Sequence, residues 1–590
     1  MIKRNNLSAT IPLQSNENNL VDDGLKNWLE GNIGQLHKQE LFMLEEARKH
    51  FASCETNDLT QKIFNNLHEK KKQRLLGIAY TPPEIRNELT EVVLKKLSQS
   101  KNISECKIMD PCCGSGSFST TLLDKLIKIG VNPKQALEKN IFLQDIDKLS
   151  VALSMVNIFE HLRRIGIDAT KIKLNAKVSD FLTSNNKFDG FITNPPYVKL
   201  QNLQVSVREF LKNKYSNFFT GALGLSAIFL KKMFDDLNDD GVVGVITQNN
   251  FFTSNAGALL RKKIERNILK IDTFGSEHIF EGVTTYTCLM YLTNKEQTSF
   301  GYRKISNQNG FNQNASMIKN DSLDSSKWRL GTKDELEDLN KLENIGVPLK
   351  DACRIWVGIA TQFDKGFTVF IEGKNWVGTD PDGQKIIIEK GIVKNLIRVA
   401  DLSTFESIKN NNRGVIYPYK IVEGKPIVMQ ESDLLNNFPK AYEFLSSWKT
   451  ELMARQKGRV ADSDWYKWGR IQSMIPVKNK LLTKTFNRGP CFYFDESDSL
   501  FSNGYAITPN SEKYDLRFIQ AVLNSKVFGY YAKLTSFEIG GQYQCYQKNF
   551  IERFCLPDID KKQQAKFCNG EKVDEFLVEY YSLSSSPSSD

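Results

Sequence analysis

Four short apolar runs end, one after another, on an acidic or amide side chain. Lys107-Ile108-Met109 stops at Asp110, and Ile141-Phe142-Leu143-Gln144 stops at Asp145. The run over residues 172–178 stops at Ser179-Asp180, and Phe188-Asp189-Gly190-Phe191-Ile192-Thr193 stops at Asn194. Runs this short read as buried strands, and the segments 118–129 and 149–162 between them carry a helical period. Strand, glycine turn, helix is the opening unit of a doubly wound α/β sheet, in which ligands bind beyond the carboxyl ends of the strands. Asp110, Asp145, Asp180 and Asn194 therefore converge on one predicted site. Further along, residues 242–247 read as a fifth parallel strand, and residues 271–274 and 286–292 as a terminal antiparallel pair.

Each strand end suggests its chemistry. Pro111-Cys112-Cys113-Gly114-Ser115-Gly116-Ser117 is a small-residue turn in which Gly114 and Gly116 allow close approach of a ligand. It is not a GxGxxG sequence, and the Asp110 carboxylate repels phosphate. A cationic or amino-bearing ligand is favoured instead, and S-adenosylmethionine carries both an ammonium and a sulfonium. Asp145 is placed for ribose hydroxyls, or equally for capping the next helix. Asp180 can accept from an adenine amino group, with Ile146 and Phe181 on either side of the ring.

Asn194-Pro195-Pro196-Tyr197 is a stiff turn offering an amide acceptor, carbonyls no proline N–H can occupy, and a flat face. It suits a planar group bearing an amine, and it also suits an ordinary strand-ending turn. Phe280, a large apolar residue in the polar loop 277–282, reads either as a second flat face or as a loop anchor. Thr81, ahead of Pro82-Pro83, is the expected N-cap of the next helix.

The 590 residues, 40% hydrophobic and 25% charged, suffice for two to four globular domains. No apolar run reaches membrane-spanning length and the polar start lacks a signal-peptide core, so no membrane association and a cytoplasmic location are expected. The ten cysteines form no CxxC pair and the five histidines no ligand-spaced pair, so no metal is expected. A net charge of +10 permits a polyanionic partner. Residues 455–488 interleave Arg455, Lys457, Arg459, Lys467, Arg470, Lys478, Lys480, Lys484 and Arg488 with Trp465, Tyr466 and Trp468. That texture suits phosphate contacts and groove insertion, or else a solvated mixed surface.

Taken in order, Tyr80-Thr81-Pro82-Pro83, Asp110 to Gly116, Asp145-Ile146-Asp147, Asp180-Phe181 and Asn194 to Tyr197 resemble the gamma-class, TaqI-like N6-adenine DNA methyltransferases of restriction–modification systems. The resemblance covers residues 75–300 through specific motifs and 345–560 more loosely, including Arg354 to Thr361, 523–525, 540–544 and 550–557. It implies a Rossmann-like S-adenosylmethionine-dependent methyltransferase core, a mostly parallel sheet with a terminal antiparallel hairpin, plus an α+β C-terminal DNA-recognition domain. The implied domains are an N-terminal helical extension (1–75), the catalytic domain (76–300), a polar linker (301–345), the target-recognition domain (346–580) and a Ser-rich tail (581–590).

The resemblance also assigns roles. Asn194, Pro195, Pro196 and Tyr197 would be catalytic, and Tyr197 and Phe280 would stack on the target base. Thr81, Asp110, Gly114, Gly116, Asp145, Ile146, Asp180, Phe181 and Asn194 would line the cofactor site. Arg455, Lys457, Arg459 and Arg470 would contact DNA. The expected partner is double-stranded DNA and the expected state is a monomer; a cognate restriction endonuclease, where one exists, would act separately. Other enzymes with this tetrad modify protein glutamine or an RNA guanine amine, and a non-catalytic DNA-specificity subunit would share the C-terminal texture. Asp364 with Glu372-Gly373-Lys374 matches a nuclease spacing, but it falls where a specificity domain should begin.

Overall fold

The computed structural model describes residues 23–53, 81–215, 224–275, 286–306, 310–325, 327–404, 406–458, 460–540 and 542–584. The chain divides into two compact units, one ending at Leu330 and one beginning at Gly331.

The first unit is built on a nine-stranded sheet. Its strands are β1 (Ile108–Asp110), β2 (Ile141–Asp145), β3 (Asn175–Val178), β4 (Phe188–Thr193), β5 (Leu237–Gln248), β6 (Ile268–Thr273), β7 (Thr287–Thr293), β8 (Ser299–Lys304) and β9 (Ser316–Lys319). They lie in the order β3-β2-β1-β4-β5-β7-β6-β8-β9. The pairings among β1 to β5 are parallel, and β7 runs antiparallel between β5 and β6. The expected core is therefore present, with its terminal antiparallel pair.

Residues 301–345 are not a bare linker. β8 pairs parallel with β6, and β9 pairs antiparallel with β8. Phe300 and Tyr302 are buried, and Arg303 grips Asp272 of β6 through Nε at 2.7 Å and Nη2 at 2.9 Å. The same guanidinium reaches Glu88 at 2.6 Å. Burial alone would raise the Glu88 carboxyl, but hydrogen bonds from Lys270 and Arg303 outweigh it and hold the group below the usual carboxylate range. The Asn/Ser-rich composition of the segment hides a strand secured by this ion cluster.

Helices cover the sheet: α1 (Asp23–Ile33), α2 (Lys38–Ser53), α3 (Pro83–Leu97), α4 (Ser117–Lys128) and α5 (Lys148–Arg164). Almost every residue of α5 is buried, because α1 and α2 pack over it. Trp28 Nε1 donates to the Ile172 carbonyl at 2.8 Å, its ring meets Phe159, and Arg48 pairs with the buried Glu160 at 2.8 Å. The described part of the N-terminal segment is thus a layer of the first unit. α3 lies close on β5, where a Cβ on Gly244 would stand 2.5 Å from Val93 Cγ2 and 2.8 Å from Leu89 Cδ2. Pro82 rather than Thr81 occupies the N-cap position of α3, with Pro83 opening the first turn.

The second unit is α+β. A six-stranded sheet and a four-stranded sheet pack with helices that include Pro439–Ser447, Leu516–Leu523, Lys526–Thr535 and Val573–Tyr581. One of its cores is aromatic, with Trp465, Tyr466 and Trp468 all under 5% exposed.

Candidate active site

Strand order reverses between β1 and β4, so their carboxyl ends flank the crevice where such sheets bind ligands. The pairing Met109↔Phe191 brings the end of β1 beside the end of β4. There Thr193 Oγ1 donates to Asp110 Oδ1 at 2.7 Å, and the Cys112 N–H donates to the same oxygen at 3.2 Å. The other oxygen, Oδ2, is buried and has no hydrogen-bond partner among the described residues. Asp110 is 6% exposed. Burial pushes its carboxyl up to about 7, the bonds from Thr193 and Cys112 oppose the rise, and the nearby Asp145 adds to it.

The glycine turn is held from two sides. Gly114 has φ 52° and its N–H donates to Asp145 Oδ2 at 3.1 Å. Gly116 has φ 78°, and a Cβ there would lie 2.8 Å from Ser154 Cα. Its missing side chain lets α5 pack against the turn. From α5, Ser154 Oγ donates to the Gly114 carbonyl at 2.9 Å and Asn157 Nδ2 to the Ser115 carbonyl at 3.0 Å. The space a Cβ on Gly114 would enter is open, its nearest neighbour being the Cys112 carbonyl at 3.9 Å.

Asp145 and Asp147 divide the two roles proposed for the second strand end. Asp147 caps α5, accepting from the Ser150 N–H and hydroxyl at 3.0 Å each. Asp145 faces the glycine turn, and its Oδ1 accepts from the Asp147 N–H at 3.0 Å. Burial raises its carboxyl to about 6 against the lowering effect of these N–H bonds. Ile146 beside it is 53% exposed.

At the third strand end, Asp180 Oδ1 accepts from the Leu182 N–H at 2.9 Å and opens a short turn. Phe181 is not an open ring face. It is 2% exposed and packs against Phe191 at 5.8 Å and Phe229 at 5.6 Å, with Lys232 above its ring. Aromatic clustering beneath the sheet takes this ring into the core, so the expected sandwich keeps only Ile146 as an exposed apolar face.

The fourth end carries the tetrad. Asn194 Nδ2 donates to the Thr81 hydroxyl at 3.1 Å, and Thr81 is buried. The Thr81 carbonyl accepts from Arg86 Nη1 at 2.9 Å. Thr81 therefore orients the Asn194 amide instead of capping α3. Tyr197 is half-buried, and its hydroxyl donates to the Ile246 carbonyl at 3.4 Å. Sequence reasoning missed the Thr193–Asp110 and Thr81–Asn194 bonds, because each joins residues far apart in the chain. Phe280 and Tyr80 lie outside the described residues.

The basic stretch needs correction. Arg455 is 8% exposed; its Nε, Nη1 and Nη2 donate to the carbonyls of Leu452, Thr361 and Trp465 at 2.8, 2.9 and 2.8 Å. A guanidinium so engaged braces the second unit and offers nothing to a phosphate. Lys480 is likewise buried against Asp495 at 2.7 Å, and Trp465, Tyr466 and Trp468 are core rather than groove-inserting. Arg470 is exposed. The Lys457 side chain and Arg459 lie outside the described residues. Glu372 of the nuclease-like spacing sits on an exposed hairpin, paired with Lys385 at 2.8 Å.

Residues 135–280 match the Eco57I restriction-modification methylase family. The matched segment runs from just ahead of β2 and includes Asp145, Ile146, Asp180, Phe181 and residues 194–197, while Asp110 and the glycine turn precede it. The chain is 27% identical over 418 residues to the Type II restriction enzyme and methyltransferase RM.Eco57I of Escherichia coli, covering 65% of this chain and 41% of that one. It is 23% identical over 573 residues to the Type II methyltransferase M.BstVI of Geobacillus stearothermophilus, covering 87% and 97%. It thus spans about two fifths of the first relative and nearly all of the second. The solved structure of the Type IIL restriction-modification enzyme MmeI in complex with DNA shares the fold, with TM-score 0.60 at 14% identity over 90% of this chain and 75% of that one. Among the described residues no helix is long and apolar enough to cross a membrane, and no three His, Cys, Asp or Glu side chains group to hold a metal.

Proposed function

We propose that this chain is a site-specific DNA methyltransferase, the modification component of a restriction–modification system. It transfers a methyl group from S-adenosylmethionine to the N6 amine of an adenine flipped out of duplex DNA. One observation carries the reading: the residue after Thr193, which bonds the cation-seeking Asp110, is Asn194 of the amine-binding tetrad. A site for a charged donor and a clamp for a planar amine therefore adjoin at the sheet's switch point. The methylase match and the Type II methyltransferase relatives support methyl transfer to DNA. The MmeI likeness supports DNA as the polyanion that the net charge of +10 permits.

The residues present fit the cofactor. The buried Asp110 Oδ2, without a partner among the described residues, would be satisfied by the ammonium of the cofactor. Asp145 retains acceptor capacity for ribose hydroxyls beyond its two backbone N–H bonds. Ile146 offers an apolar face for a ring. S-adenosylmethionine would supply an electrophilic methyl group on a sulfonium.

The chain's own contribution is positioning. An aromatic amine is a poor nucleophile because its lone pair is delocalised into the ring. The Asn194 side-chain oxygen and the Pro195 carbonyl accept its two hydrogens and favour a pyramidal nitrogen. Thr81 holds the Asn194 amide nitrogen and so turns its oxygen toward the amine. Tyr197 stacks on the extruded base, and Phe280 is the candidate for the second stacking residue. No enzyme-bound covalent intermediate is needed, and rate comes from orientation and hydrogen bonding.

The test is incorporation of labelled methyl from S-adenosylmethionine into duplex DNA, with Asn194→Ala as control. Equal labelling by both proteins removes the mechanism. Labelling of protein or RNA, with DNA untouched, reassigns the substrate.

A further inference from the structure

Among the large apolar side chains of the described residues, Ile471 is the most exposed, at 84%. It sits on a loop secured at both ends. Before it, the Arg470 N–H donates to the Ala360 carbonyl at 3.2 Å, next to the buried Trp468. After it, Gln472 Nε2 donates to the Gly358 carbonyl at 2.8 Å and the Ser473 hydroxyl donates to the Val357 carbonyl. Met474 is 2% exposed, and its carbonyl accepts from the Tyr417 hydroxyl at 3.1 Å. Ser473 takes φ 56°, a left-handed conformation uncommon for a residue with a side chain. A loosely held tip could turn its isoleucine inward; this one is fixed so that Ile471 stays in water. Val357 and Ile475 beside it are 41% and 46% exposed.

Charge indicates what covers this apolar tip. From Trp465 to Arg488 the chain has six Lys and Arg residues and no Asp or Glu. Lys480 is committed to Asp495 and Lys467 to Asp464, while Arg488 lies over the Tyr543 ring at 5.5 Å. Arg470 and Lys478 are exposed, and neither side chain bonds to another described residue. An apolar point with one unpaired cation next to it and another seven residues further along the chain complements a duplex, which carries phosphates outside and apolar base faces within.

Resting on the methyltransferase reading above, we propose that Ile471 is a wedge that enters duplex DNA and packs against its bases while Arg470 and Lys478 take flanking phosphates. The loop is then a positioning device that sets the recognition unit on DNA before methyl transfer.

The experiment uses the full chain, plasmid DNA and labelled S-adenosylmethionine, with Ile471→Ser, Ile471→Met and Arg470→Ala. Ile471→Ser is expected to lower methyl incorporation at subsaturating DNA by about tenfold or more, as loss of a buried aliphatic side chain does. Ile471→Met should stay within roughly threefold of wild type, because it keeps the apolar volume. Cofactor affinity and Tm should not move in either. Arg470→Ala should reduce the slope of log affinity against log salt by about 0.9, whereas Ile471→Ser should leave the slope unchanged. Wild-type incorporation by Ile471→Ser overturns the wedge. So does a loss matched by falling cofactor affinity or Tm, or self-association of the wild type that Ile471→Ser abolishes. If the wild type labels no DNA, the methyltransferase reading fails on its own; plasmid binding by Ile471→Ser still decides the wedge.

Discussion

Cofactor affinity should depend on pH through Asp110, with a magnitude that follows from its surroundings. The carboxyl is 6% exposed, and one oxygen has no hydrogen-bond partner among the described residues. It titrates near 7, against about 3.9 for an unfolded aspartate. Between those values the folded, ligand-free chain holds a proton that the unfolded chain has released. The group's contribution to stability is therefore complete below about pH 4 and is lost as pH rises through 7, a difference of roughly 4 kcal/mol.

An ammonium at Oδ2 reverses the preference by favouring the ionised form, so binding below pH 7 expels the proton. If the bound group titrates near 4, linkage predicts about 25-fold weaker binding at pH 5.5 than at pH 7.5, or about 1.9 kcal/mol. Asp145, raised to about 6, steepens the fall below that pH. Isothermal titration of S-adenosylmethionine in buffers of different ionisation enthalpy measures both the affinity and the protons released. Asp110→Asn keeps the shape and removes the charge. It should bind more weakly at pH 7.5, lose most of the slope between pH 6 and 7.5, and melt at a higher temperature than the ligand-free wild type at pH 8. A flat wild-type profile, or the same slope in Asp110→Asn, would refute the assignment of Asp110 to a cationic ligand.

Three further outcomes are expected. Thr81→Val should lower kcat for methyl transfer by about tenfold or more through a loosened Asn194, and Thr81→Ser should restore it; a loss of cofactor affinity in Thr81→Val, with kcat unchanged, that Thr81→Ser restores would make Thr81 a cofactor ligand instead. Gly116→Ala should cost about 2–4 kcal/mol in a urea melt, because it adds a left-handed φ penalty to overpacking against Ser154; an unchanged midpoint would remove the packing role. Arg455→Ala should lower stability by about 3 kcal/mol, since three carbonyls lose a buried donor; a loss of DNA affinity with unchanged Tm would return Arg455 to the DNA surface.

The order of β1 to β7 and the acidic or amide strand ends were legible in the sequence, whereas β8 and β9, set in an Asn/Ser-rich stretch, were not. That order and those ends are written locally, in runs of a few apolar residues and the polar residue that ends each run. The parallel core, the antiparallel β6–β7 pair and the placement of Asp110, Asp145 and Asn194 at the edge of one sheet follow from that pattern and from the handedness of crossover connections. Tertiary structure alone decided how individual side chains are used. It made Asp147 the cap and Asp145 the partner of the glycine turn, joined Thr193 to Asp110 and Thr81 to Asn194, and drew Phe181 into the core. It also turned Arg455 inward, where its Nη1 meets a carbonyl 94 residues away. An arginine or phenylalanine is the same letter whether it faces solvent or core. Which it faces depends on neighbours brought from distant parts of the chain, and those neighbours are specified only by the packed fold.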